Sequence, residues 1–330
     1  MNLEKYNSQL AVSPVGFRNT GVICYFNSVL QSLLSCTSFI SKIKEEKLKH
    51  PSNTTLAEFN KLIDLYESLR NNENEKDINN LIISKIQQMS VSLWRTMAIT
   101  NKQKNNNFSF NGQQCAGEGL NYLLDSMDEI KNIQSLFTHR YNANLYCFDC
   151  KKWVSKVNNT NNIFIVESNL HIHQLDEFKE FDKKEHEIFG KIYTPPNICK
   201  MNKYLIKQNT YVDKDYKCPK CEMKGEKYKL NYLVMIPEIL VVMSKKYDNS
   251  MRKQNIFTDF PEKLSFSGNN GNILRYTAVS QIEHSGGLHG GHYWSISKRK
   301  DGWYNCNDLS VSISQFKPTN NTYIVFYHLE

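Results

Sequence analysis

Two short cysteine pairs do most to limit what this 330-residue chain can fold into, Cys147-Phe148-Asp149-Cys150 and Cys218-Pro219-Lys220-Cys221. Each C-x-x-C spacing puts two thiolates on one tight turn, as tetrahedral zinc requires of a ribbon site. With 67 residues between Cys150 and Cys218, the two turns are expected at the tips of long hairpins. All four ligands would be protein groups, so no position stays open for catalysis and the site reads as structural. Lys151, Lys152, Lys217 and Lys220 flank the pairs and would offset the charge of four thiolates. The alternative is two unrelated pairs of free cysteines. A thioredoxin-like redox motif fits less well, because no βαβ pattern surrounds either pair.

The cysteine count supports this direction. Nine is odd, and the opening Met1-Asn2-Leu3-Glu4-Lys5-Tyr6 has no apolar core of a signal peptide, which argues against a disulfide scaffold. Free thiols then sort into metal ligands, a nucleophile or packed small hydrophobes, and Cys36, Cys199 and Cys306 are expected in the last group. A 40% hydrophobic chain with 12% aromatic residues can fill a sizeable core, which excludes wholesale disorder. No apolar run approaches the roughly 20 residues that span a bilayer, so no membrane association is expected. The net charge of +8 is spread thinly: Glu45 and Glu46 interrupt the lysines of residues 42–49, and Lys298-Arg299-Lys300 is short. A solvated basic surface explains it, and nucleic acid is not expected as a partner.

Periodicity divides the chain. Residues 1–15 read as a loose lead-in. Val29, Leu30, Leu33 and Leu34 recur at helical spacing and predict a helix from near Cys24 to near Thr37-Ser38. Further helices are expected over 55–70, 81–93 and about 114–127, with a polar loop at 101–112. After about residue 135 strand patterns take over, at 143–147, 163–166, 232–236, 239–243, 276–281, 293–297 and 322–327. Charged residues 176–200 look like an insertion. Helices first and antiparallel strands second make an α+β fold.

Cys24 follows a turn-like Arg18-Asn19-Thr20-Gly21 at a helix start, where the macrodipole and unpaired N–H groups favour a thiolate. Far downstream Gly290-Gly291-His292-Tyr293 opens a strand, and Trp303-Tyr304-Asn305-Cys306-Asn307-Asp308 follows a turn. Two antiparallel strands joined this way bring His292 close to Asn307 or Asp308, a base and its orienting group. His284 and His289 are nearby competitors without that Gly-His-Tyr context, and His171-x-His173 reads as a solvated pair on one strand face.

The segment Gly16-Phe17-Arg18-Asn19-Thr20-Gly21-Val22-Ile23-Cys24-Tyr25-Phe26-Asn27-Ser28-Val29-Leu30-Gln31-Ser32-Leu33 closely resembles the cysteine box of ubiquitin-specific proteases. Residues 290–293 with Trp303-Tyr304 and Asn307-Asp308 resemble their histidine box. Gln113-Gln114-Cys115-Ala116-Gly117-Glu118 looks like their Gln-Gln-Asp-Ala-x-Glu segment, the cysteine pairs match their zinc-bearing fingers, and residues 322–327 match their final strand.

The resemblance implies a papain-like core with palm, thumb and zinc-ribbon fingers. It makes residues 16–330 one catalytic domain, with thumb about 16–135, fingers about 140–240 and palm about 240–330. It implies a thiol-dependent deubiquitinase that cleaves after the C-terminal glycine of ubiquitin, with ubiquitin and ubiquitinated proteins as partners. Carried over, Cys24 is the nucleophile, His292 the general base and acid, Asn307 or Asp308 the orienting group and Asn19 an oxyanion donor. Cys147, Cys150, Cys218 and Cys221 hold structural Zn2+. A monomer in the cytoplasm or nucleus is expected. Val22-Ile23 stand where Asn-Thr is usual, Cys115 where a carboxylate pairs with the basic ubiquitin tail, and Gly119 where Phe is usual. Cys115 therefore raises a weakened ubiquitin interaction or a ubiquitin-like modifier as alternatives, beside a ubiquitin-binding scaffold that keeps the fold.

Overall fold

The computed structural model describes residues 13–71, 76–106, 108–109, 112–167, 211–212, 217–225, 227–247, 250–254, 257–267, 273–287 and 290–330. The expected insertion at 176–200, together with His171, His173, Cys199 and His289, lies outside the described residues.

Among the described residues six helices come first: α1 (Cys24–Leu33), α2 (Thr37–Lys49), α3 (Thr54–Asn71), α4 (Lys76–Gln103), α5 (Ala116–Asp125) and α6 (Lys131–Gln134). All ten residues of α1 are buried, because it packs against α4, α5 and the sheet behind it. The helix expected to end near Thr37-Ser38 stops at Leu33, and a second helix that was not expected starts at Thr37. Ser35 and Cys36 N–H groups bond back three residues to Ser32 and Leu33, and an extended Cys36 then caps α2. No glycine or proline marks that break. The Asn53 side chain accepts from the Leu56 N–H at 2.8 Å, capping α3. The loop expected at 101–112 begins later, because α4 continues to Gln103. Buried Asn101 explains this, donating to the carbonyls of Met97 and Tyr122 and so tying α4 to α5.

Twelve strands follow among the described residues: β1 (His139–Cys147), β2 (Lys152–Asn161), β3 (Phe164–Glu167), β4 (Tyr211–Val212), β5 (Lys227–Met235), β6 (Ile239–Lys245), β7 (Lys263–Ser267), β8 (Ile273–Gly287), β9 (Gly290–Arg299), β10 (Gly302–Asn307), β11 (Ser310–Ser314) and β12 (Thr322–Leu329). One sheet runs β2-β1-β5-β4, and the other runs β11-β10-β9-β8-β12-β6-β3 with β7 also on β8. The α+β arrangement is the one expected. Pairing is antiparallel throughout except β3, which lies parallel to β6. Central strands bury both faces. Ile239, Val241, Ile324 and Phe326 join the helices in one core, while Leu240, Val242, Val325 and Tyr327 fill a second beyond the sheet. The helical core thus clamps α1 onto β8 and β9, and that contact positions the site.

Candidate active site

The segment entering α1 is fastened to the end of β10. Phe17 N–H donates to the Asp308 carbonyl at 2.8 Å, and Gly16 lies so close that an added Cβ would sit 2.4 Å from the Leu309 oxygen. Only glycine fits there. Asn19 Oδ1 accepts from the N–H groups of Gly21 at 2.9 Å and Ile23 at 3.2 Å, shaping the turn in which Gly21 takes φ +109°. Cys24 is the first residue of α1.

Asp308 organises the surrounding polar groups. Asn19 Nδ2 donates to Oδ2 at 3.0 Å, and Asn27 Nδ2 donates to Oδ1 at 2.8 Å. Asp308 itself adopts φ +50°, which aims its side chain back toward α1. Beside it, His292 Nε2 lies 2.6 Å from Asn307 Oδ1 and 4.0 Å from Asp308 Oδ2. The sequence left Asn307 and Asp308 open as orienting groups. The structure gives Asn307 the short contact to the imidazole and Asp308 the two amides of the cysteine segment.

Cys24 is 2% exposed, and burial pushes its thiol up from its ordinary value. Hydrogen bonds from the Tyr293 backbone and the Gln113 side chain oppose that rise, and the Asp308 charge adds to it. Burial therefore works against the thiolate that a helix N-terminus favours. Among the described residues His292 makes no hydrogen bond to Cys24. Gln113 Nε2 instead donates to Sγ at 3.1 Å and to the Gly291 carbonyl at 2.5 Å. Cys24 therefore meets Tyr293 directly and Gly291 through Gln113, the residues on both sides of His292.

The competing His284 is buried, stacked on Tyr293 at 4.3 Å, and has Nδ1 3.1 Å from Lys253 Nζ. Burial first, then the charges of Lys253 and His292, pull it down to about 4. Cys115 caps α5 and lies 3.1 Å from the Tyr323 hydroxyl. Gly119 sits under the Tyr25 ring, where a Cβ would meet Cδ2 at 2.7 Å. A side chain at this position would require the Tyr25 ring to shift. Cys36 and Cys306 are buried free thiols, as expected.

The two C-x-x-C turns converge. Cys147 ends β1 and Lys152 begins β2, so the first pair forms the tip of that hairpin, and β1 pairs with β5 beside the second. Lys151 and Glu222, each next after the last cysteine of its pair, take φ +53° and +60°. Lys220 N–H points at Cys218 Sγ at 3.4 Å. The four sulfurs lie within 4.8 Å of one another, with Cys147–Cys221 at 3.7 Å and Cys150–Cys218 at 3.9 Å. A tetrahedron with metal–sulfur bonds of about 2.3 Å has edges of about 3.8 Å, so the donor set fits one metal ion.

Sequence reasoning quoted Gln113 and Asn27 inside their motifs without giving either a role. Their partners lie 89 and 281 residues away, and no local signal announces contacts at that distance.

Known proteins place the whole chain. Ubiquitin carboxyl-terminal hydrolase 5 of Saccharomyces cerevisiae is 29% identical over 140 residues, 35% of this chain and 17% of that protein. Ubiquitin carboxyl-terminal hydrolase 15 of Bos taurus is 28% identical over 164 residues, 46% of this chain and 17% of that protein. The fold is similar to that of a SAGA DUB module of Ubp8, Sgf11, Sus1 and Sgf73 bound to monoubiquitin. The TM-score there is 0.67 at 17% identity, over 98% of this chain and 70% of that one. The family model described as ubiquitin carboxyl-terminal hydrolase matches residues 15–327, and the chain belongs to that family.

Proposed function

We propose that the protein is a thiol-dependent deubiquitinase hydrolysing isopeptide or peptide bonds after the C-terminal glycine of ubiquitin. The observation that carries this reading is the meeting of Cys24 with the residues flanking His292, whose Nε2 lies 2.6 Å from Asn307 Oδ1. With Nε2 engaged by Asn307, Nδ1 is left to take the Cys24 proton. The sulfur then attacks the glycine carbonyl. His292 returns the proton to the leaving lysine amine, and water, activated by the same imidazole, releases the thioester.

Backbone N–H groups at the start of α1 are the first oxyanion donors in this scheme. Asn19 Nδ2 gives one of its two N–H donors to Asp308 at 3.0 Å, which leaves the second for the oxyanion. We assign zinc to Cys147, Cys150, Cys218 and Cys221, where it would supply structure and no chemistry.

The test is release of a fluorophore from the C-terminus of full-length ubiquitin. Wild type is expected to turn over and Cys24→Ser to be inactive with unchanged fold and metal content. Residual turnover in Cys24→Ser would remove that residue from the nucleophile role. Cys115, uncharged and against Tyr323, favours a second reading in which the preferred tail belongs to a ubiquitin-like modifier. Parallel assays on modifier fusions separate the two.

A further inference from the structure

The outer edge of β9 is unfinished beside the nucleophile. Its pairing with β10 stops at Ser295, opposite Cys306, while pairing with β8 continues to Gly290. The stretch before Ser295 therefore faces α1 with one side of its backbone unmatched by a strand. Two groups occupy that side. The Tyr293 backbone hydrogen-bonds to Cys24, and the Gln113 carboxamide takes Gly291. Gln113 pairs with Gly291 at both ends: Nε2 donates to the carbonyl at 2.5 Å, and Oε1 accepts from the N–H at 3.0 Å. A residue on an opposing strand would make the same reciprocal pair. The same Nε2 donates to Cys24 Sγ at 3.1 Å.

We propose that Gln113 is a working residue of the catalytic centre, one carboxamide that fastens the nucleophile at the start of α1 to the base-bearing strand β9. It holds the sulfur by a direct hydrogen bond and holds His292 through the peptide unit before it. No other described side chain bonds to both Cys24 and β9. The proposal deepens the proposed hydrolase reading and rests on it only for turnover, because the sulfur contact exists in the free protein.

The decisive measurement is the pH dependence of iodoacetamide alkylation at Cys24 in zinc-loaded, substrate-free protein, read by mass spectrometry of its peptide. The ionisable groups around the sulfur are Asp308, Tyr25 and Tyr293, with His292 on the same strand. They are unaltered in the variants. A donor to sulfur favours the thiolate, so Gln113→Ala is expected to move the midpoint up by about one pH unit. Gln113→Glu keeps the acceptor for the Gly291 N–H but replaces the donor with a charge, and is expected to move it further. The kcat for the ubiquitin fluorophore substrate should fall about tenfold in Gln113→Ala. An unchanged alkylation midpoint in both variants overturns the proposal, even if turnover falls. Were ubiquitin not the substrate, the alkylation shift would still appear, so the two readings fail separately.

Discussion

At the residue scale, Asp308 shows how one side chain links distant motifs. Its carboxylate accepts from Asn19 and Asn27, so removing it takes one acceptor from each of two part-buried amides, and Asn27 keeps only the Arg18 carbonyl. Asp308→Ala is expected to cost about 1–3 kcal/mol of stability, measurable by urea denaturation. Its charge raises the Cys24 thiol, so the same variant should lower the alkylation midpoint, opposite in sign to Gln113→Ala. Gly16 makes a sharper case. A methyl there meets backbone atoms of Asp308 and Leu309, which cannot yield as a side-chain tip would. Gly16→Ala should displace residues 307–309 and reduce turnover at least tenfold, while Gly21→Ala, with open space around it, should act only through its φ of +109°. The resemblance singled out the residues to which the proposed chemistry is assigned. It gave Asn27 and Gln113 no role, because an amide on a buried helix or in a loop gains meaning only from what folds against it.

At the element scale, the four-stranded sheet is two hairpins joined along β1 and β5, with the cysteine cluster closing their tips. Structural zinc contributes about 10–16 kcal/mol in zinc-finger peptides, enough to hold a sheet of this size. Cys221→Ser, or exhaustive chelation, is therefore expected to release the metal and speed amide exchange throughout β1, β2 and β5. Amides of β8, β9 and β12, paired within the larger sheet and packed on α1, should keep their protection. Uniform loss across both sheets would contradict this. The legible elements were continuous apolar runs such as β6 and β12 and the strongly periodic α3. α2 escaped because beyond Ile40 it buries only Ile43 and Glu46, a pattern too sparse to show a helical period. β11, Ser-Val-Ser-Ile-Ser, has no buried residue and leaves Ile313 87% exposed, so it lacked the pattern of a half-buried strand.

At the scale of the whole molecule, buried neutral histidines set an acid limit on stability. Burial draws His139 down to about 4, and burial with Lys253 and His292 does the same to His284. Both ordinarily titrate at about 6.5, so between that pH and about 4 the unfolded chain binds protons that the folded chain excludes. Stability therefore rises with pH across this window and falls as pH drops. Glu283 and Asp125, both raised by burial, work in the opposite direction, and their effect falls at the acid end of this window. The thermal midpoint is expected to fall by several degrees between pH 7 and pH 5. A flat profile over that interval would show that these imidazoles are solvated.

The sequence by itself determined the division into helices and strands, the two cysteine pairs and the order Cys, His, Asn, because period, spacing and residue chemistry are local properties. It also carried the family, since its motifs recur in fixed order along the chain. Only the tertiary structure decided that Asn307 takes the imidazole while Asp308 anchors the cysteine segment. It alone brought Gln113 to the nucleophile and buried Cys24 so that desolvation opposes its thiolate. Those outcomes depend on which groups share a dry, crowded volume of a few ångströms, and the chain reaches that arrangement only by packing α1 against β9.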